Sequence, residues 1–285
     1  MVIDVQRRLG LLLRERVAGS EAAERASRIW GKPGPRWFAK GDPIWRVHLD
    51  ASMFVGGLTA LLLQSLHPQA MAGVAGHSGY KSDPWGRLQR TSHYIAMTTY
   101  GTIPDAEAAI AAVRAVHERV RGGDDRGVPY RASDPHLLAW VHLAEADSFL
   151  RAHQEFGAAP LSQTEADTYV AQAGVPAALL GVLDPPSSVA ELEARLARYR
   201  HELRASPAAR EAARFLLYEP PLPLLARPGY GTLAAGAVSL LPEWAREELQ
   251  LNLPGGLTEA IGRPLGKLSV GVVRWGLAAV PDDRR

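Results

Sequence analysis

Ser133-Asp134-Pro135-His136-Leu137-Leu138-Ala139-Trp140-Val141-His142-Leu143-Ala144-Glu145-Ala146-Asp147-Ser148-Phe149, continuing to Gly157, carries every mark of one long helix. Ser133 or Asp134 supplies a capping oxygen, and Pro135 stands where a missing amide costs nothing. Gly157 ends it. Leu138, His142, Glu145 and Phe149 recur at helical spacing, so the inner face combines apolar bulk with two titratable groups.

The same pattern extends in both directions. Leu49 to Leu66 is apolar on nearly all sides, reads as a buried helix and closes at His67-Pro68. Arg87 to Tyr100 is a more polar helix stopped by Gly101. Asp105 caps a further helix to Arg121, with Ile110, Val113, His117 and Val120 along one face and Gly122 at its end. Residues 122–132 allow only a connection or a small hairpin. Capping boxes at Ser162/Glu165 and Ser188/Glu191 announce two more helices, the second a solvated one reaching about Ala205. Pro220-Pro221-Leu222-Pro223 is a rigid connector, and 233–241, 243–249 and 258–278 read as helical. No alternating strand pattern recurs. The expected fold is all-α: one helical domain over residues 1–285, with a motif-bearing core at about 35–218 and a C-terminal helical extension at about 219–285.

Composition narrows the function. Apolar residues make up 47% and charged residues 22%, the balance of a folded globular chain. Its 32 basic and 30 acidic side chains leave a formal charge of +2 and no basic run, which argues against a nucleic-acid partner. The chain has no cysteine, so disulfides, thiolate ligands and cysteine nucleophiles are excluded. No apolar run reaches the ~18 residues of a membrane span. The expectation is a cytoplasmic protein with, at most, peripheral membrane contact; the sequence leaves its oligomeric state open.

Arg87, Arg90 and Thr91 stand at i, i+3 and i+4 of one helix and can face one cavity. Such a face suits carboxylates or phosphate, since guanidinium binds either in bidentate fashion. His67, before a proline, and His117 and His142, on neighbouring helices, have the chemistry of iron or zinc ligands, against the plainer reading of core histidines bonded to backbone. A di-iron bundle is poorly supported: His142-x-x-Glu145 runs in the reverse order and no Glu-x-x-His occurs. His117-Glu118 lacks the second histidine of a zincin, Arg121 standing there instead. No nucleophile elbow, Walker loop or dinucleotide fingerprint appears.

Leu62-Leu63-Gln64-Ser65-Leu66-His67-Pro68, Ala72-Gly73-Val74-Ala75, Asp83-Pro84, Gly86-Arg87-Leu88, Arg90-Thr91, Val116-His117, Tyr130-Arg131-Ala132 and Asp134 through His142 follow one another in an order that resembles a known family. It is that of the mycophenolic-acid pathway oxygenase and the rubber oxygenase called latex clearing protein. The resemblance implies a globin-like helical core holding haem b, with His117 as proximal iron ligand and His142 as the rival. Arg87 and Thr91 would lie on the distal side, the arginine polarising dioxygen or holding a propionate, with Arg90 also against the cofactor. It further implies an oxygenase acting with dioxygen on a small apolar, isoprenoid or lipid-like substrate. Two departures stand out. Arg90 occupies what looks like the place of a distal lysine, and a guanidinium, always protonated, is a poor iron ligand; the distal position is then open. The family's proposed glutamate base has no counterpart among these motifs. The alternatives are a haem-binding sensor or carrier without turnover, and a cofactor-free helical interaction protein.

Overall fold

The computed structural model describes residues 2–19 and 22–280, and among them the chain is α-helical apart from one small hairpin. Helices α1 (Val2–Ala18), α2 (Ala22–Gly31), α3 (Pro43–Leu49), α4 (Met53–Gln64) and α5 (Pro68–His77) precede α6 (Pro84–Tyr100) and α7 (Ile103–His117). Strands β1 (Arg121–Gly123) and β2 (Pro129–Arg131) pair antiparallel, Gly122 opposite Tyr130. Then come α8 (Pro135–Phe156), α9 (Gln163–Leu180), α10 (Val189–Tyr199), α11 (Pro207–Tyr218), α12 (Arg227–Leu240), α13 (Glu243–Glu248) and α14 (Leu257–Leu277).

Leu49 to Leu66, expected as one helix, is divided: α3 and α4 meet at 92°. Asp50 causes the break. Its carboxylate accepts the amides of Ser52 (2.8 Å) and Ala158 (3.1 Å) and pairs with the Arg274 guanidinium at 3.0 Å. Burial alone would raise this carboxyl, but those amides, the Ser52 hydroxyl and Arg274 outweigh it and hold it below its ordinary value. With Asp50 in extended backbone at the C-cap of α3, its carboxylate takes the Ser52 amide at the start of the next helix, and the chain turns there.

α4 is the centre of the molecule, its Val55, Leu58, Leu62 and Leu63 buried against α8. Gly56 lets the two helices approach; a Cβ there would lie 3.1 Å from Ala152 Cβ. α12 and α14 cross as closely, with Gly236 and Gly266 facing each other, and α12 also packs on α4. One apolar cluster therefore runs from Ile29 to Val273, so the C-terminal helices share the core of the motif-bearing segment.

Several helix ends differ from expectation. α7 begins earlier, with Thr102 at its N-cap, and Thr102 Oγ1 donates to Asp105 Oδ2 at 2.7 Å. It stops at His117 rather than Arg121, because residues 121–123 are committed to the hairpin, where Tyr130 packs so close to Gly122 that a Cβ would lie 2.8 Å from its hydroxyl. α10 ends at Tyr199, short of Ala205, and the chain then turns until the Arg204 amide bonds Leu66 O at 2.9 Å. The capping box at Ser162/Glu165 is complete; at Ser188 the hydroxyl caps Glu191, whose carboxylate turns to Ser187 instead.

Candidate active site

α6 and α7, joined through Gly101 and Thr102, fold back on each other, and α8 lies along α9. α7 touches α9, and α3 closes one end by meeting α6, α8 and α9, yet α6 and α8 do not pack closely along one another. The interval between the two pairs, across which Glu145 of α8 is electrostatically coupled to Tyr94 of α6 and Tyr169 of α9, is termed the slot.

The closed end is fixed by His48 of α3. Its Nδ1 lies 2.8 Å from Thr99 Oγ1 of α6, and its ring stands edge-on to Phe149 of α8 and Tyr169 of α9. Nε2 of His48 and the Tyr169 hydroxyl are buried without hydrogen-bond partners. Burial pushes His48 down to about 3, so the ring is neutral at any ordinary pH.

The middle of the slot belongs to α8. Glu145 is dehydrated by burial, which pushes its carboxyl up to about 7. Across the slot, Tyr94 of α6 is raised by burial and then by the charge of Glu145, and Tyr169 answers to Glu145 in the same way. His142, almost one turn earlier, is pushed down to about 4 by burial, with the Arg195 charge adding to it, and its Nε2 has no partner. Both Glu145 and His142 nevertheless keep part of their surface uncovered.

The far end carries Arg87 and His117. Along α6, Arg87 is twelve residues from Thr99, about 18 Å at the helical rise. Arg87 stands fourteen residues before Gly101 and His117 fifteen after Thr102, so the α6–α7 turn returns them to the same level. The Arg87 guanidinium is half-buried and has neither an acidic nor a hydrogen-bonding partner among the described residues; burial lowers its pKa, without bringing it near neutrality. Burial also lowers His117, and its Nδ1 is unpartnered. An unpaired guanidinium suits an anionic group, and a neutral imidazole with an unpartnered nitrogen suits a metal.

Arg90 and Thr91 are placed differently. Both are exposed, and the Arg90 guanidinium meets Asp83 Oδ2 at 3.1 Å. Asp83 is the N-cap of α6: its other oxygen accepts the Gly86 amide at 2.9 Å, and a Cβ on Gly86 would lie 2.1 Å from the carboxylate. The Gly86–Thr91 segment thus serves the helix start as well as the slot. Sequence reasoning placed Glu145 and His142 on the inner face of α8, but it did not single out His48, Tyr94 or Tyr169.

The architecture is that of an α-helical domain with several dehydrated, unpartnered polar groups drawn from different helices. The comparison with known families is specific. Residues 45–275 match the family described as "ER-bound oxygenase mpaB/B'/Rubber oxygenase, catalytic domain", and the chain belongs to this family. Uncharacterized proteins of Mycobacterium bovis (Mb2261) and Mycobacterium tuberculosis (Rv2237) are each 36% identical over 84 residues, covering 30% of this chain and 32% of theirs. The chain therefore spans about a third of the length of these curated relatives. No solved structure is significantly similar. Among the described residues no single helix is long and apolar enough to cross a membrane; α3 and α4 together pass by composition only and form a bent pair in the core.

Proposed function

We propose that this protein is a haem b-dependent oxygenase acting with dioxygen on an apolar, isoprenoid or lipid-like substrate in the cytoplasm. The reading is supported by membership of the oxygenase family together with Arg87, half-buried without a counter-charge, and the dehydrated side chains of His117, His142 and Glu145. The residues fit the group. His117, held neutral by burial, would ligate iron through a ring nitrogen; Arg87 would pair with a propionate or turn to the distal side; Thr91 and Arg90 would stand at the rim. Haem supplies the redox chemistry of dioxygen when bound.

The chain's own residues do the rest. The apolar walls around Phe149 and Tyr169 exclude water and accept a hydrocarbon substrate. Glu145, poised near neutrality, accepts or returns a proton at a carboxylate oxygen, a role the sequence motifs had left vacant. His142 stays neutral and presents an unpaired Nε2 toward the same interior.

Absorption spectroscopy tests the assignment. The isolated protein should show a Soret band that is lost in His117→Ala and kept in His142→Ala, and oxygen-dependent products should form with an isoprenoid. A protein that refuses added haemin overturns the reading. A stable six-coordinate spectrum with no product would instead identify a sensor or carrier.

A further inference from the structure

A second cluster of metal-binding side chains lies outside the slot. His67 caps the start of α5, His136 is the second residue of α8, and Glu202 sits in the turn after α10. One donor atom from each lies within 4.8 Å of the other two. Glu202 Oε2 is 2.8 Å from His136 Nε2 and 3.5 Å from His67 Nε2. We propose that His67, His136 and Glu202 form a site for a divalent first-row transition ion, zinc foremost, that clasps the starts of α5 and α8 to the α10–α11 connection.

The donor set is right: two imidazoles and one carboxylate suit zinc, with the fourth position left to water or to His201, whose Nε2 lies 3.7 Å from Glu202 Oε1. Ligands at 2.0–2.2 Å from a tetrahedral ion stand about 3.3 Å apart, so the 2.8 and 3.5 Å separations need only small adjustments.

His67 distinguishes this site from an ordinary hydrogen-bond network. It is 2% exposed, and no hydrogen bond meets either ring nitrogen. A buried imidazole whose nearest polar neighbour is a carboxylate oxygen at 3.5 Å lacks a full hydrogen bond, a cost that a metal bond would offset. The surroundings also hold the ligands as a metal site requires. Tyr199 stacks on the His136 ring at 4.6 Å and donates to its backbone carbonyl at 2.9 Å. Trp140 lies 6.3 Å from the His67 ring and is itself tied to Gln64 O. The Glu202 amide is fixed to Tyr199 O at 2.8 Å, and Arg204 N bonds Leu66 O next to His67. All three ligands are therefore positioned by the fold before any ion arrives.

Chelator-stripped full-length protein titrated calorimetrically with zinc ions alone, together with elemental analysis of the isolated protein, tests the proposal. The wild type should take up one equivalent. His136→Ala, which removes a half-exposed side chain, and the near-isosteric Glu202→Gln should each weaken zinc binding at least tenfold while leaving the circular dichroism and any Soret band unchanged. The unchanged Soret band separates this site from the haem assignment. Absence of stoichiometric zinc in the wild type, or unaltered zinc affinity in both variants, overturns the proposal.

Discussion

Replacing Glu145 by Gln keeps the side-chain volume and removes only the ionisable group, so it isolates what burial does to this carboxyl. An unfolded glutamate titrates near 4.5, and in the fold the carboxyl is pushed up to about 7. The folded state therefore binds the proton more tightly. Its advantage is complete below pH 4.5, shrinks as pH rises, and is gone once the carboxyl is ionised in both states. At about 1.4 kcal/mol for each tenfold change in proton affinity, the wild type should lose about 3 kcal/mol relative to Glu145→Gln between pH 4.5 and pH 8. Urea unfolding of both haem-free proteins at pH 5, 6, 7 and 8 measures this directly. The terms from His48 and His142 are common to both proteins and cancel in the difference. The stability difference should open in favour of the variant as pH rises and level off above pH 7. A difference that stays flat, or one that favours the wild type at pH 8, would refute the claim that Glu145 is dehydrated inside a slot.

The imidazoles predict the opposite slope. His142, pushed down to about 4, destabilises the fold as pH falls below 6.5, so His142→Gln should remove about 3 kcal/mol of the acid sensitivity seen in urea unfolding between pH 7 and pH 4. Arg87→Leu should weaken haemin binding at least tenfold by absorbance titration, whereas Arg90→Leu, whose parent guanidinium rests on Asp83, should change it far less. Gly266→Ala places a Cβ 2.7 Å from Phe156 Cζ at the crossing of α12 and α14 and should cost about 1–3 kcal/mol in thermal unfolding. Trp140→Ala empties a fully buried site and strips Gln64 O of its donor, so a loss of about 3–5 kcal/mol is expected in the same assay.

Helices whose boundaries are written in local chemistry were legible from the residues. α8 begins at Pro135 and closes before Gly157 as its capping residues require, and Ser162 forms the reciprocal cap with Glu165. α14 follows its periodicity within a residue or two. Boundaries set by distant partners were not legible. Asp50 breaks an apolar run because Ala158 and Arg274 come to it from elsewhere, and Leu66 O stands beyond the end of α10 for Arg204 to meet. The site divides in the same way. Arg87 and His117 were linked only through the family resemblance, whereas His48 and Tyr169 sit within ordinary helical patterns, and only the packing of α3 against α6 and α9 brings them together.

That division bears on what the slot is for. A core built for stability alone would leave few polar atoms unpaired, since each buried orphan costs about 1–3 kcal/mol. Here His48 Nε2, His117 Nδ1, His142 Nε2 and the Tyr169 hydroxyl are all orphaned, a guanidinium is half-buried without a counter-charge, and a carboxyl is held near neutrality by dehydration. These groups belong to five different helices, α3, α6, α7, α8 and α9, so no single local defect explains them. Replacing His117, His142 or Glu145 by an apolar residue of similar size should stabilise the haem-free fold at neutral pH or leave it unchanged, while impairing cofactor or substrate binding. Stability lost in the empty protein and recovered on ligand binding is the thermodynamic mark of a site, and it separates this slot from an imperfectly packed core.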